Sequence, residues 1–465
     1  MEPSDNKSDG QKPFWKKRRN LITFMVFLGF VNVFMLRVNL SVGIVTMTTP
    51  KDSKTIAEFD WDSKVRGAIL SAFFYGYVCT QLIGGTLAAK FGGVKLMGYG
   101  VLGTAIFTVL TPMVTRHSVY LIIIFRVVEG VFEGISYPAV HAIWSNWIPP
   151  AERVKLTSLA FSGCFTAMFI GYPVCGWLAD NYGWSSIFYV PGFVAITWCI
   201  VWLMFVGESP KEDKYICEEE RKYIVDSIGP TDNKIISFSK YPWKDIFTSI
   251  PVWAINIAHF CSNWGVYTLL TQLPSYMNDV LKLNIGQGSL VSGLPYIAIT
   301  FTIQINGFFV HWLRKKEILT ATQMRKIFNT IAFVSQAVFL YVTANSTTKI
   351  GSVIYLTLSE CFGGLIWAGY MTNHLEVAPQ YASLLLGISN TFGTLPGIIS
   401  PMLTGIIVRH QSADEWRLVF LITSGIYLTG AIVYAVFSSG ELQPWAKVEV
   451  DKRDDADKRC DTGPL

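Results

Sequence analysis

Apolar stretches of about twenty residues recur from Leu21 to beyond Phe420, separated mostly by short polar loops. A helix needs about 20 such residues to cross the hydrocarbon core of a bilayer. Lipid offers no hydrogen bonds, so a spanning backbone must satisfy its own amide groups, which a helix does. The pattern therefore predicts an all-α membrane protein crossing the bilayer many times. Charged residues are scarce, at 15% of the chain against about 25% in soluble domains. Spans are expected near 21–47, 66–90, 94–114, 118–147, 153–179, 184–206, 251–278, 287–312, 321–343, 349–373, 380–408 and 416–438.

Basic residues gather in alternate loops. Lys16, Lys17, Arg18 and Arg19 precede the first span, and Lys90, Lys95, Arg153, Lys155, Arg314, Lys315, Lys316, Arg325 and Lys326 fall on the same side. So do Lys447, Lys452, Arg453, Lys458 and Arg459 after the last span. Positive loops mark the cytoplasmic face, so both termini are expected there. The first apolar run continues past Gly43, so it reads as a span and not as a cleavable signal peptide. Six of the eight cysteines (Cys79, Cys164, Cys175, Cys199, Cys261, Cys361) lie inside apolar runs, as small apolar filler.

The division expected is a tail (1–20), a six-helix half (21–206), a solvated linker with a short amphipathic helix (207–250), a second six-helix half (251–438) and a tail (439–465). The halves echo each other. GGTLAAKFGG (Gly84–Gly93) answers NGFFVHWLRKK (Asn306–Lys316), and GWSSIFYV (Gly183–Val190) answers EWRLVFLI (Glu415–Ile422). PPAERVKLTSLAFSGCF after span 4 answers APQYASLLLGISNTFG after span 10. Internal repeats in this order are a signature of transporters with a site at the midplane.

Several ionisable residues stand where charge is costly, at about 2.5–3.5 kcal/mol each on insertion scales. Arg37 lies roughly 24 Å along span 1 at 1.5 Å per residue. Span 4 holds Arg126, Glu129, Glu133 and His141, at spacings that place them on one helical face. Such a stripe must face the bundle interior. Pro138 is expected to bend the helix beside it. Arg37 has no acidic neighbour in sequence, which makes it the candidate to hold a substrate carboxylate by a bidentate contact. Glu133 has no basic residue within four positions and is expected to carry a coupling proton, assisted by Glu129, while Arg126 can pair with Glu129. Further candidates for the cavity wall are Phe74 and Tyr77 in span 2, His259, Asn263 and Tyr267 (with Trp264) in span 7, and Asn390 in span 11. Asn390 lies near Gly393, Pro396 and Gly397, a stretch expected to be broken. Asn345-Ser-Thr, in the loop after span 9, is a candidate glycosylation site, whereas Asn39-Leu-Ser lies within a span.

RVNLSV (Arg37–Val42), SAFFYGYVCTQLIGG (Ser71–Gly85), EGVFEGISYPAVHAIWSNWIPPAER (Glu129–Arg153), VWAINIAHFCSNW (Val252–Trp264), NHLEVAPQYASLLLGISNTFGTLPG (Asn373–Gly397) and GELQPWA (Gly440–Ala446) together resemble the anion:cation symporter family of the major facilitator superfamily. That is the group of sialin, the vesicular glutamate transporters and the sodium/phosphate cotransporters, and the likeness is strongest to sialin and its invertebrate relatives. The resemblance implies a major facilitator fold of twelve transmembrane helices in two halves. It matches the family's substrate-contacting arginine to Arg37 and the two coupling glutamates of sialin-like members to Glu129 and Glu133. It also matches the span-4 arginine and histidine to Arg126 and His141. Vesicular glutamate transporters carry Gln at the position of Glu129 and Arg at that of Ser262. The chain departs from the superfamily's loop motif, with Ala89 and His311 standing where aspartates are usual. A sialin-type acidic dileucine signal is not evident before Lys16.

The function expected is symport of a small organic anion, an acidic sugar or acidic amino acid, with protons by alternating access. Sodium-dependent inorganic phosphate cotransport is the alternative. No enzyme motif, metal-ligand set or nucleic-acid-binding face is read, and the two-half repeat argues against a channel. The partners expected are the anion, the coupling ion (H+, with Na+ as the alternative) and the bilayer of the plasma membrane or of a lysosomal or vesicular membrane. A monomer without cofactors is expected.

Overall fold

A computed structural model describes residues 17–50, 57–149, 152–228 and 241–446, and among these every regular element is helical. Before the linker come α1 (Arg18–Thr48), α2 (Ser63–Phe91), α3 (Gly93–Thr115), α4 (Val119–Glu133), α5 (Ser136–Trp147), α6 (Arg153–Tyr182) and α7 (Ser186–Phe205). The linker holds α8 (Glu218–Ile228) and α9 (Trp243–Thr248). After it come α10 (Ile250–Asp279), α11 (Ile285–Lys315), α12 (Ala321–Ala344), α13 (Lys349–Gly363), α14 (Tyr370–Val377), α15 (Ala382–Ile407) and α16 (Ala413–Phe437). Most bounds fall within a few residues of those expected. Lys16, Lys447, Lys452, Arg453, Lys458 and Arg459 lie outside the described residues.

Two expected spans are each made of two helices. The span at 118–147 breaks between α4 and α5. A proline ring clashes with the carbonyl four residues earlier, and for Pro138 that carbonyl belongs to Gly134, where α4 ends. The break therefore comes a turn earlier than the bend expected at the proline itself. The span at 349–373 breaks at Gly363–Gly364, passing through a 3-10 turn (Gly364–Ala368) before α14. By contrast, the stretch expected to be broken around Asn390 is continuous: α15 runs through both Pro396 and Pro401. Neighbouring helices can support carbonyls that a proline leaves free, and α15 packs along both α2 and α10.

Among the described residues eight helical stretches are long and apolar enough to cross a membrane by length and composition: α1, α3, α6, α7, α11, α12, α13–α14 and α16. The four remaining spans are α2, α4–α5, α10 and α15. These four pack as one run, α4 on α2, α2 on α15 and α15 on α10. Contact within the run is at backbone distance: a Cβ on Gly130 of α4 would stand 1.9 Å from the Phe73 carbonyl oxygen of α2. Outside it, α1 packs on α6, α3 on α7 and α12 on α16. One apolar cluster is built mainly from α1–α8 and a second from α9–α16.

The α2–α15 seam is shut from one end to past its middle. Gly67 lies against the Pro401 carbonyl, Gly405 against that of Ser63, and Gly397 against the Phe74 ring. Thr394 donates to Gln81 at 3.2 Å. Beyond that point, toward the termini, Gly85 and Gly387 have no atoms within 4 Å of a would-be Cβ. The α6–α11 contact is also tight on the shut side, where Gly176 meets Ser289 and Gly286.

The first part of the linker is tied to the start of α1. Arg18 pairs with Asp213 at 2.9 Å, and Arg19 with Glu220 and Glu152 at 3.0 Å each. Asp213, Glu220 and Arg19 are all buried. Arg18 and Arg19 thus begin α1 and anchor the linker beneath it. The second half has a similar clamp, in which Glu376 accepts from both Arg314 and Arg325.

Substituting Gly130→Val forces α4 off α2. Overpacking of this kind costs about 1–3 kcal/mol, so the variant should melt at lower temperature than the parent in a detergent-solubilised thermal unfolding assay.

A charge pair caged by aromatic rings

Arg37 comes from the middle of α1 and Glu133 from the last residue of α4. They meet inside the first half, buried at 7% and 1% exposure. Arg37 Nε donates to Glu133 Oε1 at 3.0 Å, and Nη2 bonds the same oxygen. Glu133 Oε2 is buried without a partner. Arg37 therefore does not stand alone: the acid it lacks nearby in sequence is supplied by α4, and the base Glu133 lacks is supplied by α1.

Aromatic rings wall the pair. The Arg37 guanidinium carbon lies 4.5 Å from the Phe34 ring centroid, 4.9 Å from that of Phe73 and 5.1 Å from that of Tyr77. Ring faces attract a cation. Phe73 serves two cations, since Arg126 lies 5.2 Å from its centroid. Arg126 pairs with Glu129 one turn on, and Glu129 also accepts from Thr108 at 3.0 Å. Phe74 turns the other way, meeting Tyr267 of α10 across the seam at 4.6 Å between centroids. The Tyr267 hydroxyl lies within electrostatic range of Arg37.

The structure thus brings together Arg37, Glu133, Arg126, Glu129, Tyr77, Phe74 and Tyr267. It leaves the other candidates apart. His141 does not share the acid stripe, because the break at Gly134 carries it onto α5, where it is exposed with its ring 6.2 Å from Phe161. His259 and Asn263 tie α10 to α15: His259 Nδ1 meets Ser389 Oγ at 3.2 Å, and Asn263 donates to the Gly393 carbonyl at 2.8 Å. Asn390 is half-buried on α15. Asn345 is exposed at the end of α12, its amide donating to the Tyr341 carbonyl.

Phe73 was missed, although its spacing of four from Tyr77 puts both rings on one face. Phe34 shows the same signal, three residues before Arg37. Tyr137, which bonds Cys164 and lies within electrostatic range of Arg37, had no sequence signal, since it lies beyond the helix break.

The sequence profile of the Major Facilitator Superfamily matches residues 22–401. The chain is 39% identical to vesicular glutamate transporter 1 of Xenopus laevis, over 96% of this chain and 78% of that one. It is 37% identical to human sialin, over 91% of this chain and 90% of that one. This chain belongs to the major facilitator superfamily, in the group of sialin and the vesicular glutamate transporters. It is a membrane transporter with twelve spans in two halves, and not an enzyme. Solved structures agree on the fold. A bacterial homolog of the human lysosomal transporter Spinster superposes with a TM-score of 0.72 at 14% identity, covering 94% of this chain and 100% of that one. A D-xylose–proton symporter gives 0.69 at 13%, covering 90% and 99%. In this transporter α1, α2 and α4 bring their charged and aromatic side chains together inside the first half, and Phe74 meets Tyr267 across the seam.

Removing one member of a buried pair leaves an uncompensated charge, at a cost of about 3–5 kcal/mol. Arg37→Ala should therefore melt well below the parent. The double variant Arg37→Ala/Glu133→Ala should recover much of that loss, because residues in contact are not additive. A double-mutant cycle of thermal midpoints checks this.

Proposed function

We propose that the chain is a secondary active symporter that carries a small organic anion, an acidic amino acid or acidic sugar, together with protons by alternating access. The Arg37–Glu133 pair is the observation that carries this reading. With Glu133 ionised, the guanidinium is occupied by a resident carboxylate. A proton on Glu133 removes that charge and frees the planar fork for a carboxylate of the cargo, which it can hold bidentately. The anion and the proton then enter the site together because one guanidinium cannot serve two carboxylates. Glu129, held by Arg126 and Thr108, assists as the neighbouring acid.

Phe73, Tyr77 and Tyr267 supply the apolar walls. The kinship with proteins named vesicular glutamate transporters supports an acidic amino acid as cargo. The α2–α15 seam, shut from Gly67 and Pro401 to Gln81 and Thr394, supports rocking of the halves about the site. The basic loops make the side of the termini cytoplasmic, in a plasma, lysosomal or vesicular membrane.

Purified protein in liposomes should accumulate labelled L-glutamate or glucuronate on an imposed pH gradient without sodium. Glu133→Gln should lower that accumulation by about tenfold, within the usual range of coupling free energies, while exchange of labelled for unlabelled anion persists. Strict sodium dependence, or full proton-driven uptake by Glu133→Gln, would overturn the proposal.

A further inference from the structure

The second half holds a buried acid that the Arg37 site does not use. Glu360 lies on α13, one turn before the helix gives way at Gly363–Gly364. It is 2% exposed, and its Oε1 has no hydrogen-bond partner. No Lys, Arg or His among the described residues forms an ion pair with it. The titratable groups that face it are phenols, Tyr296 of α11 and Tyr427 of α16.

From α12 comes Gln336, which flanks the same turn of α13. Ser359 donates to the Gln336 carbonyl at 3.4 Å, and a Cβ on Gly363 would lie 2.7 Å from the Gln336 amide nitrogen. That amide donates to the Tyr427 hydroxyl at 3.0 Å, while Gln336 Oε1 is buried without a partner. Two acceptor oxygens on adjacent helices, Glu360 Oε1 and Gln336 Oε1, therefore lack a donor. An unpaired carboxylate in such a place is very unfavourable, whereas the neutral acid is tolerated and brings a donor of its own. A sodium or calcium ion would demand a shell of several oxygens. A proton asks for one.

The location repeats that of Glu133. In each half the fourth span breaks at glycine, and a buried carboxyl sits at or one turn before the break. Glu133 is answered by Arg37 of α1. The corresponding first span of the second half, α10, contains no Lys or Arg, so Glu360 stays unanswered.

We propose that Glu360 is a second proton-binding site, in the half opposite Glu133, and that each transport cycle moves one proton through each. The inference rests on the proton-coupled reading above. Reconstituted protein, clamped at zero membrane potential with a fixed gradient of labelled L-glutamate, reveals the pH difference at which net flux stops. In Glu360→Gln, with one proton where the parent has two, that balancing pH difference should double; Glu360→Asp should keep the parent value. An unchanged value in Glu360→Gln overturns the assignment. A parent without proton-driven flux instead fails the symport reading. Infrared difference spectra between acid and alkaline pH test Glu360 independently of flux. The parent should show a carboxylic-acid carbonyl band that Glu360→Gln lacks. Coincident spectra, or loss of the band on adding sodium at fixed pH, overturn the proposal.

Discussion

A guanidinium and a carboxylate withdrawn from water must meet, because neither is tolerable alone in a medium that cannot solvate it. Arg37 and Glu133 meet between α1 and α4, and the surroundings follow from that meeting. The pair shares one carboxylate oxygen, so the other is left over. The guanidinium faces need cover, and three rings provide it. Arg126 and Glu129 repeat the arrangement a turn away and share the Phe73 ring with it. The result is a neutral but highly polar centre inside the first half, where a change of one proton alters which group the arginine can hold.

The bundle brings the partners of this pair together. Spans α4, α2, α15 and α10 pack on each other in one run, and α1, which carries Arg37, packs on α6 and α10. Glycine permits the run to close: without Gly130 and Gly76 the backbones of α2 and α4 could not approach so nearly. At the termini side the arginines at the start of α1 and α12 gather acidic residues from the linker and from α14, so that helix ends and connections are held as one piece.

The reach of the sequence differs with the range of the interaction. Spans were legible because hydropathy is a property of contiguous residues, and the bilayer sets their length. The breaks in the fourth and tenth spans were less so. Pro138 announced a bend but not its position, and the Gly363–Gly364 pair gave no sign that the helix would pass into a 3-10 turn. In the other direction, prolines in α15 promised a break that packing against α2 and α10 suppresses. Periodicity found Tyr77 and Glu133 but carried His141 onto the wrong face, because a helical stripe has meaning only as far as the helix runs.

Hydropathy and charge placement by themselves determined that this chain crosses a membrane in two similar halves and that Arg37, Arg126, Glu129 and Glu133 must face inward. Both conclusions follow from the cost of each residue taken alone in lipid. Only the tertiary structure decided that Arg37 answers Glu133 across 96 residues, that Phe73 and Tyr77 cage the pair while Phe74 crosses the seam, and that Glu360 meets no cation among the described residues. Partner choice depends on which helices touch, and at what height, and helix packing settles that in three dimensions.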